Sequence, residues 1–322
     1  MHRALPLLSL LALSACGTLP TVPPHANVAP VVRSPPMQVC WVEYATDLRP
    51  AGYGLAGEST EEHWDITYSG LLIRHPSGDV LIDAGQSSHF SEEVRTSRFI
   101  PGLLLDAFQG GGTLVAHAPV ALKAVGEDPS ALRAIAISHI HGDHAGGIVD
   151  LPGPEVWLSQ GELAFLKDEK EKGGFDVIQA QALAIEPRAK AITFAKAPYE
   201  NLDESADPMG DGSVVFVPLS GHTPGSMGTF VNVSPELRIF HVGDAVNTLE
   251  AMEKRRSKSV VLGMTDHDGA LADRTAARLG QLHVQDPGLL LLPAHDRKAW
   301  LAIFGAPQKC LGEKPAPKTP AH

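Results

Sequence analysis

Apolar and polar positions alternate along most of the chain in short runs that end at turn-forming residues. Gln38 to Tyr44 mixes β-branched, aromatic and other apolar side chains and predicts an opening strand. Ile66 to Arg74 and Val80 to Ile82 repeat the pattern on either side of Pro76-Ser77-Gly78-Asp79, a turn signal, and together predict a hairpin. Ser88 to Thr96 and Pro119 to Val125 suit helices, Ala134 to Ser138 a short buried strand, Val156 to Ser159 another, and Gln160 to Lys170 an amphipathic helix. The stretch from Lys170 to about Asp211 has no clear period and reads as an insertion able to cover a site. Strands then resume at Val214 to Pro218, Met227 to Val233 and Leu237 to Val242. A helix over Asp268 to His283, a buried strand over Leu289 to Leu292 and a closing helix over Arg297 to Phe304 complete the body. Two strand-rich halves with helices after each predict an α/β fold of the four-layer αββα sandwich type, in place of a doubly wound parallel sheet. No short-period repeat interrupts that picture.

The ends of the chain follow different rules. His2 and Arg3 precede a nearly continuous apolar run from Leu5 to Leu13, too short to span a bilayer as a stable helix. Leu13-Ser14-Ala15-Cys16 follows, and residues 1–15 read as a cleaved export signal. The four residues resemble the lipobox of bacterial lipoproteins. That resemblance implies lipid modification of Cys16, a membrane anchor and a periplasmic location, with Gly17 favouring the outer membrane. Acyl chains in pairs give stable anchoring where one is marginal. Prolines at 20, 23, 24, 30, 35 and 36 make residues 16–36 an extended, solvated tether, leaving 37–312 as the folded domain. Residues 313–322, rich in Pro and Lys, are expected to fray.

Composition narrows the partners. With 37 acidic and 26 basic residues the formal charge is −11, and only Lys254-Arg255-Arg256 forms a basic cluster. Nucleic acid is therefore disfavoured and a small-molecule substrate expected. The 3 cysteines are too few for a disulfide scaffold. Cys40 and Cys310 lie near opposite ends of the body, and could pair in an oxidising compartment, although two separate buried thiols are the simpler expectation.

Chemistry concentrates in Ser138-His139-Ile140-His141-Gly142-Asp143-His144-Ala145-Gly146-Gly147. On extended backbone His139 and His141 point the same way and can meet one ion. Asp143 and His144 follow at the turn and can face a second ion beside it. Gly146 and Gly147 permit close backbone approach. His222, Asp244 and His295 each sit just past a predicted strand, where a rigid element can aim a ligand. Imidazole with carboxylate suits zinc, and also iron, manganese or cobalt.

These residues resemble the metallo-β-lactamase superfamily, whose pattern is H-x-H-x-D-H followed by a distal His, a bridging Asp and a final His. The match spans roughly Ile66 to Phe304. The resemblance implies two divalent metal ions, most simply zinc. His139, His141 and His222 would hold the first, Asp143, His144 and His295 the second, and Asp244 would bridge them. Asp83 and Ser138 resemble supporting positions behind the ligands. The implied activity is hydrolysis, with a hydroxide shared by the ions attacking a carbonyl and Asp143 shuttling the proton.

His141, where oxygen-reducing diiron members usually carry Glu, favours hydrolysis. The presence of Asp244 points away from the β-lactamases toward lactonases, thioesterases and phosphodiesterases. The motif around His139 and His222-Thr223-Pro224-Gly225 is most similar to acyl-homoserine lactonases, so a lactone or related ester is the expected substrate. Those enzymes usually carry Tyr three residues after the bridging Asp, where this chain has Asn247, a donor without a phenol. A periplasmic β-lactamase is the rival reading, with Lys254, Arg255 and Arg256 as candidates to grip a carboxylate. A non-catalytic metal-binding lipoprotein is a third. Within Thr265-Asp266-His267-Asp268, Asp268 is expected to cap the next helix, while the cluster could also line the pocket.

Overall fold

Along β1 (Gln38–Pro50) alternate side chains enter different cores. Val39 and Trp41 face one cluster with Phe216, Met227, Ile239 and Trp300, while Cys40, Val42 and Tyr44 face another with Ala121, Leu122 and Leu166. That two-residue period is the pleat of a strand covered on both faces. The computed structural model describes residues 17–96, 112–173 and 176–316. The expected cleaved segment and Cys16, and part of the expected frayed tail, lie outside these residues.

The elements follow in chain order as α1 (Ala51–Gly54), β2 (His63–Arg74), β3 (Val80–Ile82), α2 (Phe90–Thr96), β4 (Thr113–Leu114), α3 (Ala118–Ala124), β5 (Ala134–Ala136), α4 (Gly142–Ala145), β6 (Glu155–Ser159), α5 (Gln160–Lys172), α6 (Gln179–Ile185) and β7 (Ala189–Ile192). The second half holds β8 (Val214–Pro218), β9 (Met227–Ser234), β10 (Leu237–Gly243), α7 (Leu249–Glu253), α8 (Val260–Gly263), α9 (Gly269–Gln285), β11 (Leu289–Pro293), α10 (Arg297–Phe304) and β12 (Cys310–Gly312). Among the described residues one sheet runs β12-β1-β2-β3-β5-β6-β7, with β4 on β1, and the other runs β11-β10-β9-β8.

The sheets pack face to face, with Trp41, Phe216 and Trp300 fully buried between them. Helices α3, α5 and α6 cover the outside of the first sheet, and α7 and α9 the outside of the second. These are the expected αββα layers. The predicted hairpin forms, with Leu71 opposite Ile82 and Ile73 opposite Val80.

Three expectations need revision. The irregular 170–211 stretch contains α6 and β7, and β7 extends the first sheet in parallel with β6. Its short, partly exposed strand carries Lys190 among small residues, so no strong alternation marks it. Cys40 and Cys310 are disulfide-bonded, not separate thiols, because β12 pairs with β1 and sets the two cysteines directly opposite. Sequence reading misses the pairing because 270 positions separate the partners and β12 is only three residues long.

Residues 17–36 are extended, as their prolines require, but they are not loose. Leu19 is buried beside Met252 and Ala276 in the core beneath α9. Val28 and Glu200 exchange backbone hydrogen bonds at 2.9 and 3.0 Å.

Candidate metal centre

Six of the seven expected ligands sit just past strands that run toward one edge of the sandwich. The β5 strand ends at Ala136 and delivers the 138–144 loop; β10 ends at Gly243, immediately before Asp244; β11 ends two residues before His295. His222 arrives from the loop after β8. Glycine makes two of these approaches possible. A Cβ on Gly147 would lie 2.1 Å from the Ala84 carbonyl oxygen, and one on Gly225 would lie 1.9 Å from the Glu162 nitrogen.

All seven side chains converge. His222 Nε2 is 3.2 Å from His139 Nε2 and 3.0 Å from His141 Nδ1, and those two are 3.0 Å apart. Three imidazole nitrogens aimed at one another are repulsive unless a cation or protons lie between them. Tetrahedral zinc, with nitrogen ligands at about 2.0–2.1 Å, separates its ligands by roughly 3.3 Å, close to what is seen. A second group forms beside the first. His144 Nε2 and His295 Nε2 are 3.2 Å apart, and Asp143 Oδ2 lies 3.7 and 3.4 Å from them.

Asp244 faces both groups. Its Oδ1 is 3.4 Å from His144 Nε2 and 3.3 Å from His295 Nε2, while Oδ2 is 3.6 Å from His222 Nε2. Oδ1 is buried without a hydrogen-bond partner, a costly state for a carboxylate that a cation would relieve. The donor set and its spacing therefore fit a divalent metal.

Behind every imidazole stands a hydrogen-bond partner. His141 Nε2 meets Asp176 at 3.1 Å, His144 Nδ1 meets Asp83 at 2.9 Å, and His222 Nδ1 meets Asp266 at 2.8 Å. His295 Nδ1 lies 3.0 Å from the Thr67 carbonyl, and His139 Nδ1 lies 3.1 Å from Ser138 Oγ. Such partners fix the ring and raise its basicity. Asp83 also accepts from Ser138 N at 2.7 Å and Ser138 Oγ at 2.8 Å.

Electrostatics follow from this arrangement. Burial opposes protonation of His144, but Asp244, Asp143 and Asp83 outweigh it and hold its pKa well above the ordinary value. Burial and the surrounding imidazoles push His139 well below the ordinary value. Burial likewise drives His222 down to about 4, helped by the nearby Lys258.

Asp176 and Glu162 escaped the sequence reading, and Asp266 was noted only as part of a cluster. Asp176 came from the illegible stretch. Asp266 belonged to the noted polar cluster, where Asp268 does cap α9 by accepting from Leu271 N at 2.9 Å while Asp266 supports His222. Glu162 is fully buried and ties two ligand loops together: it accepts from Ile140 N at 2.8 Å, Thr223 Oγ1 at 2.7 Å and Gly225 N at 3.0 Å. Nothing in its helical surroundings marked it, because it looked like one more polar position of α5.

Asn247 lines a small void with Leu19, Lys258 and Asp266, and its amide nitrogen is buried without a partner. Lys254 pairs with Glu58 and Glu250 at 3.1 and 2.5 Å, and Arg255 grips the Leu19 and Pro20 carbonyls at 3.1 and 3.0 Å. Neither cation reaches into the ligand cluster. Lys258 is the cation that does come close, 2.5 Å from Asp266 and 3.2 Å from His222 Nδ1.

An αββα sandwich with clustered His and Asp ligands at one edge defines a metal-dependent hydrolase. The chain belongs to the metallo-beta-lactamase superfamily, whose sequence pattern matches residues 64–295. It is 24% identical over 256 residues to the N-acyl homoserine lactonase AttM of Agrobacterium fabrum, covering 76% of this chain and 88% of that one. Solved structures share the fold. An N-acyl homoserine lactone hydrolase with N-hexanoyl-L-homoserine at its catalytic metal centre superposes with a TM-score of 0.62 at 18% identity, covering 84% of this chain and 98% of that one. The dizinc quorum-quenching lactonase AidC gives 0.58 at 17% identity, covering 82% and 89%.

Proposed function

We propose that this protein is a two-metal hydrolase that opens a lactone or a related ester, exported as a lipoprotein anchored through Cys16. The observation that carries the two-metal reading is the placement of Asp244, with one oxygen toward each ligand group. Two bound cations supply the positive charge that polarises a carbonyl oxygen and makes water acidic enough to attack at neutral pH. The chain's own residues do the rest. His139, His141 and His222 on one side, and Asp143, His144 and His295 on the other, would hold the cations at fixed spacing. Asp143 is partly open to solvent, with its side chain 11% exposed, and is the carboxylate placed to carry a proton to a leaving alkoxide.

The lactone substrate is supported by the similarity to N-acyl homoserine lactonases. Of the three cations considered for gripping a β-lactam carboxylate, Lys254 and Arg255 are engaged elsewhere. Export is supported by the Cys40–Cys310 disulfide, a bond that persists in oxidising compartments and is rare in the cytosol.

The test is hydrolysis by purified, zinc-loaded protein of a long-chain acyl-homoserine lactone, a chromogenic β-lactam and an aryl ester, side by side. Lactone opening abolished by a chelator supports the reading. Turnover of the β-lactam alone would reassign the substrate, and no turnover by fully loaded protein would favour the non-catalytic alternative.

A further inference from the structure

Residues 17–36 form a strap whose direction along the body is fixed. At its start the Gly17 carbonyl accepts from Ser257 N at 2.8 Å and Leu19 N donates to the Arg255 carbonyl at 2.8 Å. Farther along, Gln281 Nε2 donates to the Val22 carbonyl at 2.9 Å and Gln285 Nε2 to the His25 carbonyl at 2.9 Å. Ser257 also binds Asp273, in the opening turns of α9, at 3.0 Å. The strap therefore runs beside α9 from its first turns to its last. Over 17 residues that helix is about 25 Å long.

The start of α9 is the end that meets the metal centre. Asp268 N donates to the Gly221 carbonyl at 3.0 Å and His267 N to the His222 carbonyl at 2.8 Å. Gly17 is thus fixed at the metal-centre end of the molecule. One residue of chain spans at most about 3.6 Å, so acyl chains on Cys16 would start beside this surface instead of at the end of a free tether.

The same end exposes apolar side chains. Val260 is 66% exposed, Val261 44% and Met264 64%, all on α8 or one residue past it. The segment leading into α8 meets the strap's start through Ser257, and residues 54–56 hold its other side: Ala56 N donates to the Ser257 carbonyl at 3.1 Å, Ser259 N to the Gly54 carbonyl at 3.1 Å, and Leu55 bridges Lys258. We infer that α8 is a bilayer-contacting face, held against the lipid surface by the anchored strap, so that the metal centre takes acyl-bearing substrates at the membrane interface. This rests on the reading of Cys16 as the acylated residue. Covalent continuity selects the bilayer as the occupant: apolar residues beside a lipid anchor enter the boundary of headgroups and acyl chains, about 5–10 Å deep. An acyl ester or lactone already dissolved in the bilayer would then reach the ligand cluster without leaving the surface.

The experiment uses the full-length chain produced in an exporting bacterium, extracted from membranes and reconstituted into phosphatidylcholine vesicles with or without brominated acyl chains. The native tryptophans are buried, Trp64 being 8% exposed and Trp41, Trp157 and Trp300 0%, so an added indole on the surface reports its own surroundings. Val261→Trp places one on α8, Met264→Trp serves if that variant folds poorly, and Val284→Trp places one at a position 77% exposed near the far end of α9. Residue 261 is expected to emit at shorter wavelength in vesicles and to lose roughly half its emission to brominated lipid, while residue 284 is unaffected. Mass analysis of the N-terminal peptide separates the ways to fail. Acylated Cys16 with no bromine quenching at 261 overturns the bilayer face and leaves the anchor standing. A blue shift at 261 without quenching, dependent on protein concentration, assigns the face to a second copy and also overturns it. Unmodified Cys16 removes the anchor and the inference together.

Discussion

The two ligand groups carry their negative charge at different distances. Around His139, His141 and His222 the carboxylates unique to that group stand behind the rings, with Asp176 on His141 and Asp266 on His222. Around His144 and His295 one carboxylate is itself a ligand candidate, Asp143, and a second, Asp83, stands behind His144, while His295 leans on the Thr67 carbonyl. Asp244 belongs to both. A cation in the first group would thus be bound by neutral nitrogens made basic from behind. One in the second would be bound partly by direct charge. The design predicts two sites of unequal sensitivity to charge-removing substitutions.

The largest effect should come from removing what they share. Asp244→Ala is expected to lower turnover on the order of 10³-fold, about 4 kcal/mol of barrier, and to reduce metal content at both sites together. Metal analysis that shows one site still filled and full activity would break the two-site reading. Asp176→Asn and Asp266→Asn act only through the rings and should each weaken the first site about 10–100-fold, seen by titration against a competing chelator. Asp83→Asn should do the same to the second site. Equal losses at both sites from any of these variants would erase the contrast. Glu162→Gln keeps the shape of the clamp but turns an amide donor toward donors, and should cost about 1–3 kcal/mol of stability, read from denaturant unfolding.

The smallest effect is a pH slope. His241 is fully buried, both ring nitrogens lack partners, and Nε2 lies 4.0 Å from Asp83 Oδ2. Burial pushes its pKa down to about 4. The unfolded chain takes up this proton as pH falls below about 6.5, whereas the folded chain resists until near its lowered value, so stability is full above the ordinary histidine range and lost on acidification. Between pH 7 and pH 5.5 the loss from this group is about 1 kcal/mol. His241→Phe should flatten that part of the unfolding profile, and an unchanged slope would assign it to other groups.

Much of the site was readable because ligand chemistry is dense in sequence. His139, His141, Asp143 and His144 fall within six residues, and His222, Asp244 and His295 each follow a strand with a clear pattern. The groups behind the rings were harder to see. Asp176 becomes meaningful only when its segment folds back to His141, and Glu162 only when α5 lies against the 222–225 loop. The layers were legible from two-residue alternation in strands such as Val214–Pro218, where Val214 and Phe216 face one core and Val215 and Val217 the other. The missed strands β4, β7 and β12 gain their place from neighbours already in the sheet, and no local pattern announces that.

The bond between Cys40 and Cys310 also makes the body a closed covalent ring, with the first and last strands of one sheet as its seam. A protease that cuts the backbone once anywhere inside that ring releases nothing. The nicked molecule stays in one piece, and all seven candidate ligands, which lie between the two cysteines, remain covalently joined through backbone or sulfur. If the chain is exported as proposed, a single scission there would be an injury the molecule can outlast.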